Sequence, residues 1–429
     1  MAGQTLAEKL VARACGRDTV APGEIVTCAV DLAMMHDSGG PRRVKPILEK
    51  LGVDVWDPAR VVVVTDHFTP ASDAESASIL DLTRKWVNAQ GVANFYDLQG
   101  ICHIVLPERG HLQPGIFVVG GDSHSPTGGA FGCYMFGVGA TEMAGVLATG
   151  EIWLRVPETI RLIWNGHLGP AVSAKDAMLA MCAALGMDGG DYQAIEYSGE
   201  LIADLDMSER MTLCNMAAEL GAQTGLIAPD TTTTAYLRDC GVETGNTGAW
   251  HSDDAATFRD THLFDATTLS PQVAAPHSPA NSAPIEDTDP TPIDQCYIGA
   301  CTGAKLVDLK MAAEILRGRQ VAKGVRLLVA PASARTMTAA AADGTLATLT
   351  EAGAIVLPSG CNACGGYGTG VLAEDEVCIA STARNFKGRM GASTSKLYLG
   401  SPYTVAASAI AGHITDPRAL IRPPVTEAA

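Results

Sequence analysis

No run of about 20 consecutive apolar residues occurs in this 429-residue chain, which excludes a membrane-spanning helix. Its first residues, Met1 to Val11, include Glu8 and Lys9 and lack a long apolar core, so they do not read as a secretory signal. Basic residues are few: 30 Lys and Arg stand against 47 Asp and Glu, a net charge of −17. A nucleic-acid surface needs clustered Lys and Arg to neutralise phosphates, so no nucleic-acid partner is expected. An anionic substrate must then be met by a few local arginines or a metal, not by the global field. Nucleotide signatures are missing as well. No G-x-x-x-x-G-K-[ST] occurs, and the glycine-rich run Gly120 to Gly139 lacks a G-x-G-x-x-G directly after a strand. No internal repeat is visible in the sequence.

What is present describes a globular enzyme. The chain is long enough for two or three domains, and 47% hydrophobic with 18% charged residues can bury a large core. Its 45 glycines fall in compact motifs, as expected where backbone must approach a ligand. Twelve cysteines without a secretory signal point to a reducing cytosol, with any clustered subset binding metal.

Strands and helices alternate along the chain, so the expected class is α/β. Three units are expected, over residues 1–155, 156–275 and 276–429. In the first, Arg60 to Thr65 (RVVVVT) and Gly115 to Gly120 (GIFVVG) read as buried parallel strands. Polar clusters follow both: Asp66-His67, and Asp122-Ser123-His124. Ligands gather beyond the carboxyl ends of such strands, so both clusters are candidate site walls. Gly137 to Leu154 has helical spacing. In the second unit Met207 to Leu220 reads as a helix stopped by Gly221, with Asn215 and Glu219 on one face. Ser270 to Pro292 is rich in Pro, Ala and Ser and reads as a linker or extended crossover. Strands are expected at Gln295–Ile298, Arg326–Val329 and Ala354–Leu357 in the third.

Three constellations carry chemistry. Cys361-Asn362-Ala363-Cys364 is a C-x-x-C followed by two glycines, and Cys301 lies in Gly299-Ala300-Cys301-Thr302-Gly303. Thiolates in small-residue loops suit soft metals and iron–sulfur clusters. The residues alone leave a redox dithiol or a pair of ordinary loop thiols open, and a zinc site would call for a fourth ligand. Cys296 and Cys378 lie within expected strands and read as small buried hydrophobes. The second constellation is Asp66-His67, His103 and Asp122-Ser123-His124, with His36-Asp37 as a weaker member. Asp–His pairs orient an imidazole and raise its basicity, which suits acid–base work or metal support. The third is Arg384-Asn385-Phe386-Lys387-Gly388-Arg389, where two arginines could clamp carboxylates; read alone, it is equally a solvated basic loop.

Taken together, GDSHSPTGGAFGCYMFGVGATEMAGVLATG (121–150), MTLCNMAAELGAQTGLIAPD (211–230), IGACTGAKLVDL (298–309), CNACGG (361–366), RNFKGRMG (384–391) and YLGSPYTVAASAIAGHITDPR (398–418) resemble the aconitase superfamily. The resemblance covers nearly the whole chain and is greatest to large subunits of 3-isopropylmalate dehydratase and homoaconitase. It implies three α/β/α domains around a central [4Fe–4S] cluster held by Cys301, Cys361 and Cys364. It also implies Asp66 and His67 as the pair assisting hydroxyl departure, and Asp122 and His124 as a second acid–base pair. His103 and Glu219 fall on further catalytic positions, Asn215 on a site-shaping asparagine, and Ser123, Arg384 and Arg389 on substrate contacts. The implied reaction is reversible dehydration and hydration, or isomerisation, of a malate-type hydroxy dicarboxylic acid in the cytoplasm. The leading substrate is 3-isopropylmalate, as in leucine biosynthesis. Methylmalate, dimethylmalate, maleate and homoaconitate are the alternatives, and a non-catalytic cluster-sensing protein is the alternative of another class. The length, with no fused C-terminal domain, implies a separate small, swivelling-domain subunit that supplies the base, in a heterodimer or heterotetramer.

Three departures from the family pattern are visible. The usual G-S-C-T-N reads G-A-C-T-G here, with Ala300 and Gly303; the residue before R-N-F is Ala383 rather than Asn; and the common C-G-x-C reads C-N-A-C. Losing polar groups at Ala300, Gly303 and Ala383 predicts a site less suited to a tricarboxylate, because a carboxylate left unpaired is costly.

Overall fold

The computed structural model describes residues 3–421. The third sequence unit was drawn to Ala429, and its last eight positions, like Met1, lie outside the described residues.

Three sheets organise the chain. The first holds five parallel strands in the spatial order Asn94–Asp97, Val61–Thr65, Leu32–His36, Phe117–Gly120, Tyr134–Gly137. Val61–Thr65 and Leu32–His36 are buried at every position, so both faces are covered by helices and no polar alternation is needed. The second holds four parallel strands in the order Thr224–Leu226, Ala194–Ser198, Thr159–Asn165, Asp260–Asp265. The parallel part of the third runs Ile355–Val356, Arg326–Val329, Gln295–Ile298, Val377–Ala380, Lys396–Leu399.

All three sheets have the same logic. The chain lays down a first strand, adds two more on one side, then returns to add the fourth on the other. In such sheets the crevice lies between the first and fourth strands, beyond their carboxyl ends. In the first sheet that is the gap after His36 and Gly120. In the third it is the gap after Ile298 and Ala380.

Several sequence expectations need correction. Ser270 to Pro292 is not a plain linker: Gln272–Ala274 and Ser282–Pro284 pair with each other, and Ala274 pairs with Leu399 at the antiparallel edge of the third sheet. Pro284 is tolerated because it sits on the outermost strand. Gln272–Ala274 thus belongs to the third sheet, although the sequence division placed it in the second unit. The helix expected over Gly137 to Leu154 spans Ala140–Thr149; Gly150 caps it with φ +73°, and Glu151–Arg155 turns into a strand pairing with Ile25–Ala29. The helix expected over Met207 to Leu220 is α-helical to Asn215 and tightens to a 3₁₀ turn over Met216–Leu220.

The three parts meet through close backbone approaches. One apolar core takes Met34, Val62 and Val118 from the first sheet together with Ile160, Trp164 and Tyr197 from the second. Gly100 pairs with Ser333, and the Ile101 N–H donates to the Ala332 carbonyl, joining first part to third. Gly129 lies so near the second sheet that a β-carbon there would sit 1.7 Å from the Gly225 carbonyl oxygen, while the Ile227 N–H donates to the Gly129 carbonyl.

This contact predicts a paired outcome. Gly129→Ala must separate the first and second parts, and should cost about 3 kcal/mol or more. Gly145→Ala, in the helix Ala140–Thr149 with nothing within 4 Å of the added methyl, should stabilise by about 0.5–1 kcal/mol. Urea unfolding of both variants checks the pair; an unaffected Gly129→Ala would mean the two parts are less closely apposed.

Candidate active site

The site is built from loops that leave the two crevices. After Leu32–His36 come Asp37 and the helix Pro41–Leu51; after Val61–Thr65 come Asp66 and His67; after Phe117–Gly120 come Asp122, Ser123 and His124. From the third sheet, Cys301 follows Gln295–Ile298, Cys361 and Cys364 follow Ile355–Val356, and Arg384 follows Val377–Ala380. The second part contributes Asn215 and Glu219 from one bent helical segment.

Three carboxylate–imidazole pairs result. His67 Nδ1 lies 2.6 Å from Asp66 Oδ1, His103 Nε2 is 2.8 Å from Asp122 Oδ1, and His124 Nε2 is 3.2 Å from Glu219 Oε1. The Asp122–His124 grouping implied by the sequence is present as a looser contact, His124 Nδ1 lying 3.6 Å from Asp122 Oδ1, but it is the shortest bond of neither. The Asp122 carboxylate instead bonds the His103 ring and takes the backbone N–H of His124 at 2.8 Å. The His124 ring is thereby turned toward Glu219.

Electrostatics sharpen these roles. Burial disfavours the charged form of His67, yet attraction to Asp66 and Asp37 keeps the imidazole protonated well above its ordinary range. Burial likewise works against the Asp66 carboxylate, but His67 and His36 hold it ionised far below the usual carboxylate range. Asp122 is also held well down, against burial, by hydrogen bonds from His103 and His124. Burial and Arg384 oppose protonation of His124, but Glu219 and Asp122 raise its affinity for the proton overall. His36 goes the other way: burial first, then His67, lowers it. Its Nδ1 accepts from the Gly39 N–H at 3.3 Å and its Nε2 faces the Gly121 carbonyl at 3.1 Å, a neutral ring stacked on His67 with centroids 4.2 Å apart. The side chain of Asp37, the weaker candidate in the sequence, accepts the backbone N–H groups of His67 and Phe68.

Arg384 reaches into this group. Its Nε donates to Glu219 Oε1 at 2.5 Å and one terminal nitrogen to Ser123 Oγ at 2.9 Å. Arg384 and Ser123 line a cavity of about 710 Å³ with His36, Asp122 and Tyr367. Arg389 is placed differently. It sits beside Cys364, facing the cysteine loop, and burial works against its charge while Cys364 supports it.

The three cysteines form a nest suited to a soft, electron-accepting metal group. All twelve cysteines are unpaired thiols. The Cys364 N–H donates to the Cys361 carbonyl, and Asn215 Nδ2 donates to both Cys301 Sγ at 3.1 Å and Thr127 Oγ1 at 2.8 Å. Burial pushes the Cys301 thiol up to about 12, with Cys364 adding to the effect; Cys361 is raised for the same reason, with Asp66 and Cys364 adding. Three thiolates this near would repel in the absence of a cation, and a metal or cluster reverses that penalty. Among the described residues, buried side-chain atoms without a partner include His103 Nδ1, Asn215 Oδ1, Glu219 Oε2 and Arg389 Nε. Buried polar atoms are nearly always bonded, so the orphans on Asn215, which touches Cys301, and Arg389, which touches Cys364, mark a place that another group completes.

The departures at Gly303 and Ala300 acquire a physical reading. A β-carbon at Gly303 would lie 2.1 Å from Ser381 Oγ. That hydroxyl accepts from the Gly299 N–H at 3.1 Å and lies 3.1 Å from the Gly303 carbonyl. A serine from the neighbouring strand end therefore fills the space a side chain at 303 would take. Ala300 holds φ +68°, a conformation that costs a non-glycine residue about 1 kcal/mol. Ala383 is buried and apolar.

The Aconitase family (aconitate hydratase) matches residues 8–412. The chain belongs to this family. It is 47% identical over 97% of its length to 99% of the 3-isopropylmalate dehydratase large subunit 1 of Methanopyrus kandleri. It is 43% identical to the probable methanogen homoaconitase large subunit of Methanothermobacter thermautotrophicus, over 97% of this chain and 98% of that one. With the 3-isopropylmalate dehydratase large subunit of Aquifex aeolicus the identity is 41%, over 98% of each.

Every site residue singled out in the sequence lies at this centre or against it. Others were not legible. Thr127, Ser381, Tyr367 and Lys175 belong to no motif of titratable residues. Tyr367 packs edge-on to His67 at 5.6 Å, and only the Cys-x-x-Cys-Gly-Gly context could have drawn attention to it.

The Asp66–His67 pair predicts a pH signature. The folded pKa of His67 is raised, so its share of stability is complete below about 6.5 and disappears as pH climbs through the raised value. The folded pKa of Asp66 is depressed, so its share is present above about 3.9 and disappears as pH falls through the folded value. Asp66→Asn should therefore destabilise most near pH 5–6, and less at both extremes. Urea unfolding of variant and parent across pH 3–10 measures it; a pH-independent difference would disprove the coupled charge pair.

Proposed function

We propose that this chain is the large subunit of a [4Fe–4S] hydro-lyase that dehydrates and rehydrates 3-isopropylmalate. The observation that carries this reading is the meeting of three carboxylate–imidazole pairs, two arginines and three thiols from three sheets, with Asp122, Ser123 and Arg384 opening on one cavity. The three α/β units, divided near residues 155 and 270, serve to bring those groups together. A reducing cytosol suits the free thiols.

Cys301, Cys361 and Cys364 would hold the cluster, whose iron without a cysteine ligand supplies Lewis acidity when bound. The remaining chemistry falls to the chain's own side chains. His67, kept protonated by Asp66 and Asp37, holds a proton for the departing hydroxyl. Arg384 uses two of its donors on Glu219 and Ser123, which fixes its plane and leaves its outer nitrogen for a substrate carboxylate. Arg389 supplies a second cation beside the cysteine loop. His124 and Glu219 form a proton-holding pair behind the cavity, and Asp122 with His103 fixes the loop that carries Ser123. The relatives are large subunits, so a small partner is proposed to close over the cavity, exclude water and supply the base that removes the carbon-bound proton.

A second reading, homoaconitate, is supported by the methanogen relatives at 43 and 44% identity. The apolar Ala383 and the closed-off position 303 favour the dicarboxylate, because a third carboxylate would find fewer donors.

Anaerobically prepared protein should be brown and contain four iron and four acid-labile sulfide per chain, on the stoichiometry of a [4Fe–4S] site. Cys361→Ser should lose the cluster. Stoichiometric zinc without sulfide would refute the cluster reading. Turnover of 3-isopropylmalate, followed by enoate absorbance, should need both this chain and its small partner. His67→Ala and Asp122→Asn should each lower it about 100-fold or more with cluster content intact, and Arg384→Lys should mainly raise KM. Full turnover by this chain alone would overturn the two-subunit assignment, and homocitrate or citrate as the better substrate would overturn the dicarboxylate one.

A further inference from the structure

Lys175 is 2% exposed, lies in the first turn of the helix Ala174–Leu185, and has no part in the chemistry above. Its ammonium donates to the Thr382 carbonyl at 2.6 Å, with the Ser381 carbonyl at 3.5 Å and Met216 Sδ at 3.3 Å. Thr382 stands two residues before Arg384, and Met216 three before Glu219. One nitrogen therefore joins the loop that carries the substrate arginine to the turn that carries its carboxylate partner.

The charge itself calls for explanation. A buried ammonium is costly unless an anion answers it. The nearest carboxylate, Glu219, is already shared by Arg384 and His124. Burial lowers the pKa of Lys175 to about 8, opposed by Glu219 and by Cys182, Cys301 and Cys364. The adjacent buried carboxylate, Asp176, is taken up by Ser173 and the Gln272 N–H, and the next buried positions, Ala177, Met178 and Leu179, are apolar. The Ser381 carbonyl beside the ammonium also accepts the Thr302 hydroxyl at 2.9 Å, which brings the positive charge to the residue next to Cys301.

We propose that Lys175 is the positioning residue for Arg384 and the buried counter-cation of the cysteine nest. Its hydrogen bond to the Thr382 carbonyl sets the loop from which Arg384 reaches Glu219 and Ser123, and its charge lies behind the Cys301 loop. The second half rests on those cysteines being cluster ligands, as proposed above; the first half does not.

The test uses Lys175→Gln, Lys175→Met and Lys175→Arg in the cluster-replete chain assembled with its small partner. Removing a positive charge beside a cluster favours its oxidised form, so the reduction potential should fall in the Gln and Met variants and stay near the parent value in Arg. KM for 3-isopropylmalate should rise about tenfold in Gln and Met, with kcat changed less, as expected for lost carboxylate binding. Combining Lys175→Gln with Arg384→Lys should add little to either alone, since both act through one guanidinium. A purely structural lysine would lower the melting temperature and leave potential and KM unmoved, which overturns the proposal. Additive effects of the two substitutions overturn the link to Arg384. Failure of all three variants to fold would make Lys175 a folding anchor and likewise overturn it. If the parent protein holds no cluster, the function reading fails instead; calorimetric binding of 3-isopropylmalate to Lys175→Gln still decides the Arg384 half.

Discussion

The arrangement depends on Asp66 more than on any other residue. It is fully buried at the carboxyl end of the most apolar strand in the first sheet. One carboxylate oxygen holds His67 and the other accepts the N–H of Cys102, which starts the helix carrying His103. Its backbone carbonyl accepts the N–H of Cys361, 2.8 Å away. Gly360 permits that approach: with φ +156°, it would place a β-carbon 2.9 Å from the same carbonyl oxygen. A single residue thus fixes an imidazolium, a histidine helix and a cysteine loop from another sheet. A buried carboxylate is tolerable only when its hydrogen-bonding capacity is met, and here meeting it is what assembles the site.

Charge is handled in the same local way. The chain carries −17 overall, yet its centre gathers the cations His67, Arg384 and Arg389 with Lys175 behind them. Against these stand Asp66, Asp122 and Glu219, each paired with a histidine. A dianionic ligand entering such a site meets fixed donors in a low-dielectric setting, where each is worth more than it would be in water. The distant acidic surface adds little, because at physiological salt its field decays within about 8 Å.

Much of this was legible in the sequence because strand ends are legible. Val61–Thr65 and Cys296–Ile298 are apolar runs, and the groups that follow them, Asp66-His67 and Cys301, belong to the site. The pairings were not legible. Asp122 and His124 touch each other, but their shorter bonds go to His103 and Glu219, which only the fold brings near. The strands over 272–284 were hidden by Pro and Ser, whose composition says linker, whereas an edge strand needs only one free face. Ser381 was invisible for a simpler reason: its role is to occupy the space that Gly303 leaves empty, and no pattern in either segment announces the other.

The sequence shows no internal repeat, yet the three sheets share one strand order. The two facts are compatible. What such an order requires of a sequence is a set of buried strands, right-handed crossovers and small residues at the switch point, and many unrelated sequences meet that requirement. What distinguishes the three is the chemistry beyond the strand ends. The first sheet presents carboxylates and imidazoles there, and the third presents thiols and a guanidinium. The second presents His167 and Asp265 at its own switch point, where the imidazole bonds an exposed Asp204; it reaches the centre through Asn215, Glu219 and Lys175, which lie on helices. Asn215 touches Thr127 of the first part and Cys301 of the third, Glu219 touches His124 and Arg384, and Lys175 touches Thr382. The second part therefore acts as the brace that sets the distance between the other two crevices. A brace needs polar groups of fixed length more than it needs a crevice of its own.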